Sequence, residues 1–158
     1  MSSRWIIDRR GVLIAAGAAL ALGGTQARAA AAPLSIVVHK DPSCGCCDAW
    51  VDHLKSAGFK TEIKESADIG ALKKQLGVPG DLASCHTGVV NGYVIEGHVP
   101  AADIRRLVAS GSKAKGLAVP GMPVNSPGME VAGEAKQRYT VWLFQADGKR
   151  AAFAQHGG

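Results

Sequence analysis

Residues 34–58 read LSIVVHKDPSCGCCDAWVDHLKSAG, a strand, a cysteine cluster and a helix in succession. Leu34 to His39 is a short, apolar, β-branched run, the composition of a buried strand. From Asp48 onward, Trp50, Val51 and Leu54 recur at helical spacing, and Gly58 supplies a C-terminal stop. Between strand and helix, Cys44, Cys46 and Cys47 fall within four positions of a chain that has 4 cysteines in all. Fixed bridges gain most when they close long loops, so this crowding points to chemistry rather than to architecture. Thiolates at the start of a helix face its positive end, which favours the deprotonated form that attacks disulfides and binds metals.

Downstream, FKTEIK (Phe59 to Lys64) alternates apolar and polar side chains as a second strand. DIGALKKQLG follows with Asp68 as N-cap, Ile69, Leu72 and Leu76 on one helical face, and Gly77 as stop. TGVV and YVIE form two short strands joined by Asn91-Gly92, a strong hairpin signal. PAADIRRLVASG places a proline in the first turn of a third helix and groups Ile104, Leu107 and Val108. The order is β, α, β, α, β, β, α. Gly116 to Glu130, which contains PGMPVNSPGME, is expected to be a loop, too rich in proline and glycine for a helix or an inner strand. The C-terminal GEAKQRYTVWLFQADGKRAAFAQHGG is less diagnostic, and His156 falls in a tail expected to fray.

The N-terminus bears on which chemistry the thiols can do. Arg4, Arg9 and Arg10 precede an uncharged run from Gly11 to Gly24, followed by Ala27-Arg28-Ala29. This is the pattern of a cleavable export signal over residues 1–29, and the run is shorter than the roughly 20 residues that span a bilayer. Cleavage would leave no stable membrane insertion. Asp8 to Leu13 resembles a twin-arginine signal, although Sec signals also use arginines. The signal holds 4 of the 18 basic residues and 1 of the 13 acidic ones, so residues 30–158 carry only about +2. No basic stripe interleaved with aromatics points to nucleic acid. Residues 30–158 suit one α/β domain, without repeats or heptads.

The element order, with cysteines at the first strand-to-helix junction, resembles the thioredoxin/glutaredoxin architecture. That likeness implies that the loop before the third strand packs against the cysteine loop. Here that loop is PGDLASCHT, so Cys85 and His86 would converge with the cluster from about 40 positions away.

CGCCDAW, SCHTGVV, YVIEGHVPAADI and GLAVPGMPVNSPGME together resemble the periplasmic copper-resistance proteins called CopG, a family of bacterial metal-binding proteins first catalogued as a domain of unknown function. The resemblance runs from about Leu34 to Glu130. It implies a thioredoxin-like fold that binds copper through cysteines and handles copper or its redox chemistry.

The residues can be weighed without the family. Soft thiolate and thioether donors select Cu(I), and thiolate sulfur can bridge several Cu(I) ions into a multinuclear cluster. The candidate ligands are Cys44, Cys46, Cys47, Cys85, His86, Met122 and Met129, with the two methionines on a loop that can lie over the site as a lid. Other copper-handling proteins of the periplasm are then candidate partners. Three other uses stay open: thiol–disulfide exchange through Cys44 and Cys47 at Cys-x-x-Cys spacing, structural zinc, and fixed disulfides. Methionines are commonly core filler, and His86 has the alternative of orienting loop backbone. His98, in EGHVP, ranks behind His86. His39 would stand behind the ligands, His53 would be solvated on its helix, Asp48 would cap backbone N–H groups, and Trp50 would pack.

Overall fold

The computed structural model describes residues 32–157, so the stretch read as an export signal lies outside the described residues. The elements are β1 (Ser35–Lys40), α1 (Gly45–Ser56), β2 (Lys60–Glu65), α2 (Ile69–Leu76), β3 (His86–Val90), β4 (Tyr93–Gly97), α3 (Ala101–Ser110), β5 (Gly116–Val119), β6 (Tyr139–Phe144) and β7 (Arg150–His156). A single 3-10 turn, Gly80–Leu82, leads into the loop before β3. No helix among these residues is long and apolar enough to cross a membrane.

All seven strands join one mixed sheet in the order β2-β1-β3-β4-β5-β6-β7. β1 runs parallel to β2 and antiparallel to β3, and β3 and β4 form a hairpin. The hairpin turns through Asn91 and Gly92, both at positive φ (47° and 82°), the backbone that this dipeptide adopts most readily. β5 then pairs parallel to β4, and the β6–β7 hairpin extends the sheet antiparallel.

Strand alternation divides the apolar residues between the two faces. Ile36, Val38, Ile95, Leu117 and Val119 pack with Trp50, Val51 and Leu54 of α1 and Ile104 and Leu107 of α3. Val94, Ala118 and Phe144 point the other way, onto Val78 and Leu82 beyond α2. The fully buried Trp50 donates its Nε1–H to the Val99 carbonyl at 2.9 Å, so its one polar atom is satisfied.

Three expectations need correction. Gly116 to Val119 is an inner strand rather than the start of a loop, because GLAV is fully buried between β4 and β6; the irregular segment begins at Pro120. His156 does not fray: it lies on β7, its Nε2 2.6 Å from Asp103 Oδ2 and its ring stacked on Tyr139. His53 is not solvated either, since its half-buried Nε2 accepts the Ala101 N–H at 3.1 Å and so helps to seat the start of α3.

Candidate metal centre

The cysteine loop is built between two anchors. Lys40, buried at the end of β1, directs its ammonium at the Asp41 and Pro42 carbonyls (3.3 and 3.4 Å) and pairs with Asp48 at 3.1 Å. Asp41 receives the N–H and hydroxyl of Ser43, at 2.8 and 2.5 Å, while Cys44 N–H bonds the Asp41 carbonyl at 3.1 Å. These contacts lead the chain into α1 with Cys44 as its N-cap residue and Cys46 and Cys47 in the first turn. The helix therefore starts ahead of Asp48, which places that carboxylate past the unpaired N–H groups. The Cys44 side chain makes no cap hydrogen bond to α1, and Asp48 serves Lys40 instead.

Cys44 and Cys47 are joined by a disulfide, while Cys46 and Cys85 are free thiols. The Cys46 sulfur lies 3.5 Å from that of Cys44, 3.9 Å from Cys85 and 3.8 Å from the Met122 thioether. All four cysteine sulfurs lie within 4.8 Å of one another. The loop before β3 thus meets the cysteine loop, as the element order led us to expect.

Cys85 is also the junction with an imidazole pair. His86 Nδ1 and His98 Nε2 each lie 3.3 Å from its sulfur. The Pro127 carbonyl, 2.8 Å from His98 Nδ1, can only accept a hydrogen bond, so Nδ1 carries the proton and Nε2 presents a lone pair to the thiol. His86 stacks against Trp50 (ring centroids 4.2 Å apart) and meets His98 edge-on at 5.0 Å. Its Nε2 is buried without a hydrogen-bond partner among the described residues.

The environment keeps these groups neutral. Burial pushes the Cys85 thiol up to about 11, and the neighbouring Cys46 adds to the shift. Burial, reinforced by His98 and Lys73, lowers His86 to about 3; burial likewise lowers His98. A metal entering here must displace the Cys85 proton but finds neutral imidazoles ready as ligands.

Met122 and Met129 differ. Met122 is 51% exposed with its sulfur beside Cys46, whereas Met129 is half-buried and its sulfur makes no comparable contact with a cysteine. The loop carrying them is held by Asn125 N–H to Met129 O and Met129 N–H to Ser126 O, at 2.9 and 2.8 Å. Gly128, at φ 84°, sits so close to α1 that a Cβ there would lie 2.6 Å from the Trp50 backbone nitrogen. His98 is the residue that sequence reasoning underrated. Its signal was its position just past a strand end, at the turn toward the third helix. His39 stays on β1, opposite Thr87.

A cluster of soft sulfurs bordered by neutral imidazoles fits copper binding. Residues 82–129 match the family described as protein of unknown function DUF411. No curated protein matches the chain. Two solved structures of copper resistance protein CopG, form 2 and form 1, each superpose with a TM-score of 0.75 and 47% sequence identity. The alignments cover 78% and 80% of this chain and 98% and 99% of the respective CopG chains. With nearly half of its aligned residues identical over almost the whole length of those structures, this chain belongs to the CopG family of copper-resistance proteins.

Proposed function

We propose that this protein is an exported, periplasmic copper-binding protein of copper resistance. Its cargo is Cu(I), carried singly or as a multinuclear cluster on Cys44, Cys46, Cys47 and Cys85, with His86 and Met122 as additional ligands, His98 beside them and Met129 on the same loop but away from the sulfur contacts. The observation that carries the reading is the convergence of four cysteine sulfurs within 4.8 Å, with the Met122 thioether 3.8 Å from Cys46. The donors that converge are sulfurs and imidazoles, which suit Cu(I) better than hard cations, and structural zinc would leave the thioether unused. The export pattern in residues 1–29 supports the compartment, and other copper-handling proteins there are the partners this chemistry fits. The parallel β1–β2 pair, β3 antiparallel to β1, and cysteines at the first strand-to-helix junction support a thioredoxin-like reading of the fold.

The Cys44–Cys47 bridge bears on copper capacity. A disulfide sulfur is a poor Cu(I) ligand, so the oxidised form offers two thiols and the dithiol form four. Reduction of the bridge takes two electrons and two protons; copper ions or a thiol partner can exchange those electrons. The same bridge favours a second reading, thiol–disulfide exchange, in which a partner dithiol attacks Cys44–Cys47 and leaves as a disulfide. Metal analysis of protein purified with copper under reducing conditions separates the two. Retained copper supports the first reading; no copper, with turnover of a disulfide substrate, supports the second.

A further inference from the structure

Beneath the Cys85 loop lies a buried charge pair that contributes no atom to the sulfur cluster. Lys73 of α2 donates to Glu96 Oε1 of β4 at 2.5 Å and to the Thr87 hydroxyl of β3 at 2.8 Å. Thr87 in turn donates to Glu96 Oε2 at 2.6 Å, and Glu96 is 0% exposed. Such pairs are weak stabilisers, since apolar replacements of like volume are often as stable, so stability alone does not account for this one.

The remaining bond of the carboxylate does. Glu96 Oε1 accepts the Ser84 N–H at 2.6 Å, and the Ser84 hydroxyl donates to the Gly121 carbonyl at 2.7 Å. Ser84 immediately precedes Cys85, and Gly121 immediately precedes Met122. Gly97, next to Glu96, lets the two backbones approach: a Cβ there would stand 2.8 Å from Ser84 Cβ and 2.4 Å from the Val119 carbonyl. One carboxylate oxygen is thus linked to both remote sulfur donors, each by a short run of hydrogen bonds and peptide bonds.

We propose that Glu96, held in place by Lys73 and Thr87, is a positioning residue that sets Cys85, and through the Ser84 hydroxyl Met122, against Cys46. Its consequence for copper rests on the copper reading of the cluster; its geometric content does not. Two double variants isolate the oxygen that Ser84 uses. E96Q/K73M removes both charges but keeps an amide oxygen for the Ser84 N–H and an amide N–H for Thr87. E96L/K73M removes the same charges and leaves no acceptor.

Two readouts apply, both taken below the melting temperature of each variant. The first is Cu(I) affinity by competition with a Cu(I) chelator. The second needs no copper: phenylarsine oxide bridges two nearby thiols through two As–S bonds with loss of water, and with Cys44–Cys47 oxidised it reports the approach of Cys46 to Cys85. E96Q/K73M should match the parent protein in both. E96L/K73M should bind Cu(I) roughly tenfold more weakly and be bridged roughly tenfold more slowly, the effect of about one hydrogen bond. Parent-like bridging and affinity in E96L/K73M would overturn the proposal, as would equal losses in both doubles. If the parent holds no copper while the arsenical still separates the doubles, the copper reading fails and the positioning role stands.

Discussion

His98 presents its Nε2 to the Cys85 sulfur at 3.3 Å, and the Pro127 carbonyl on its other nitrogen fixes which tautomer does so. Replacing His98 with asparagine keeps an N–H donor near the Nδ1 position and deletes Nε2. We expect His98→Asn to lower Cu(I) affinity by about tenfold, in the range for loss of a group that supports a metal site, with a small change in melting temperature. Chelator competition measures the first and a melting curve the second. Parent-like affinity would remove His98 from the site.

The two methionines should separate. Met122→Leu preserves bulk at an exposed position and removes the thioether beside Cys46. It should speed Cu(I) transfer to a chelator severalfold while leaving the metal-free protein as stable as before. Met129→Leu, away from the sulfur contacts, should leave transfer unchanged. Equal effects of the two substitutions would show that the loop acts as a whole rather than through one donor.

Copper capacity should depend on the Cys44–Cys47 bridge. Native mass spectrometry after loading under reducing conditions should show more Cu(I) per chain than loading of the oxidised protein, because reduction raises the free thiols from Cys46 and Cys85 to all four cysteines. A Cys85→Ser variant should lose copper in both states. The same copper count in the oxidised and reduced parent would show that Cys44 and Cys47 add no copper capacity.

Acid should destabilise the metal-free protein. Burial, the leading cause in each case, lowers His39, His53, His86 and His98 below the ordinary value of 6.5, and His86 reaches about 3. Below about 6.5 the unfolded chain then binds protons that the folded chain refuses, so stability is full above that pH and falls as pH drops through it. The loss should continue toward pH 3 because His86 resists protonation longest. A melting series from pH 8 to 4 checks this; a flat profile below 6.5 would mean that the buried histidines take up protons without cost.

The elements legible in the sequence were those whose signals are local. Asp68 accepts the Ala71 N–H at 2.9 Å as the N-cap it was read to be, Gly77 closes α2 in the left-handed region, and Asn91-Gly92 turns the hairpin. What the sequence concealed depends on partners far away. β5 is four residues long and is a strand because β4 and β6 flank it. His53, His98 and His156 owe their places to Ala101, Cys85 and Asp103, each 13 or more positions distant. Cys85 was found only because element order brings its loop to the first strand-to-helix junction. Glu96 carried no such sign: in YVIE it reads as the polar member of a strand, and its partners lie 9 to 23 positions away.

The crowding of Cys44, Cys46 and Cys47 has a thermodynamic consequence for the copper-loaded protein. Those thiols are neighbours in the unfolded chain as much as in the folded one, so in reduced protein both states can capture Cu(I). A ligand stabilises a fold only by the difference between its affinities for the two states. That difference falls to the donors that folding alone recruits: Cys85 from 39 positions beyond Cys46, with His86 next to it, and Met122 from 76 beyond. Copper would therefore raise the melting temperature far less than its affinity suggests, and most of that rise should vanish when the remote donors are removed.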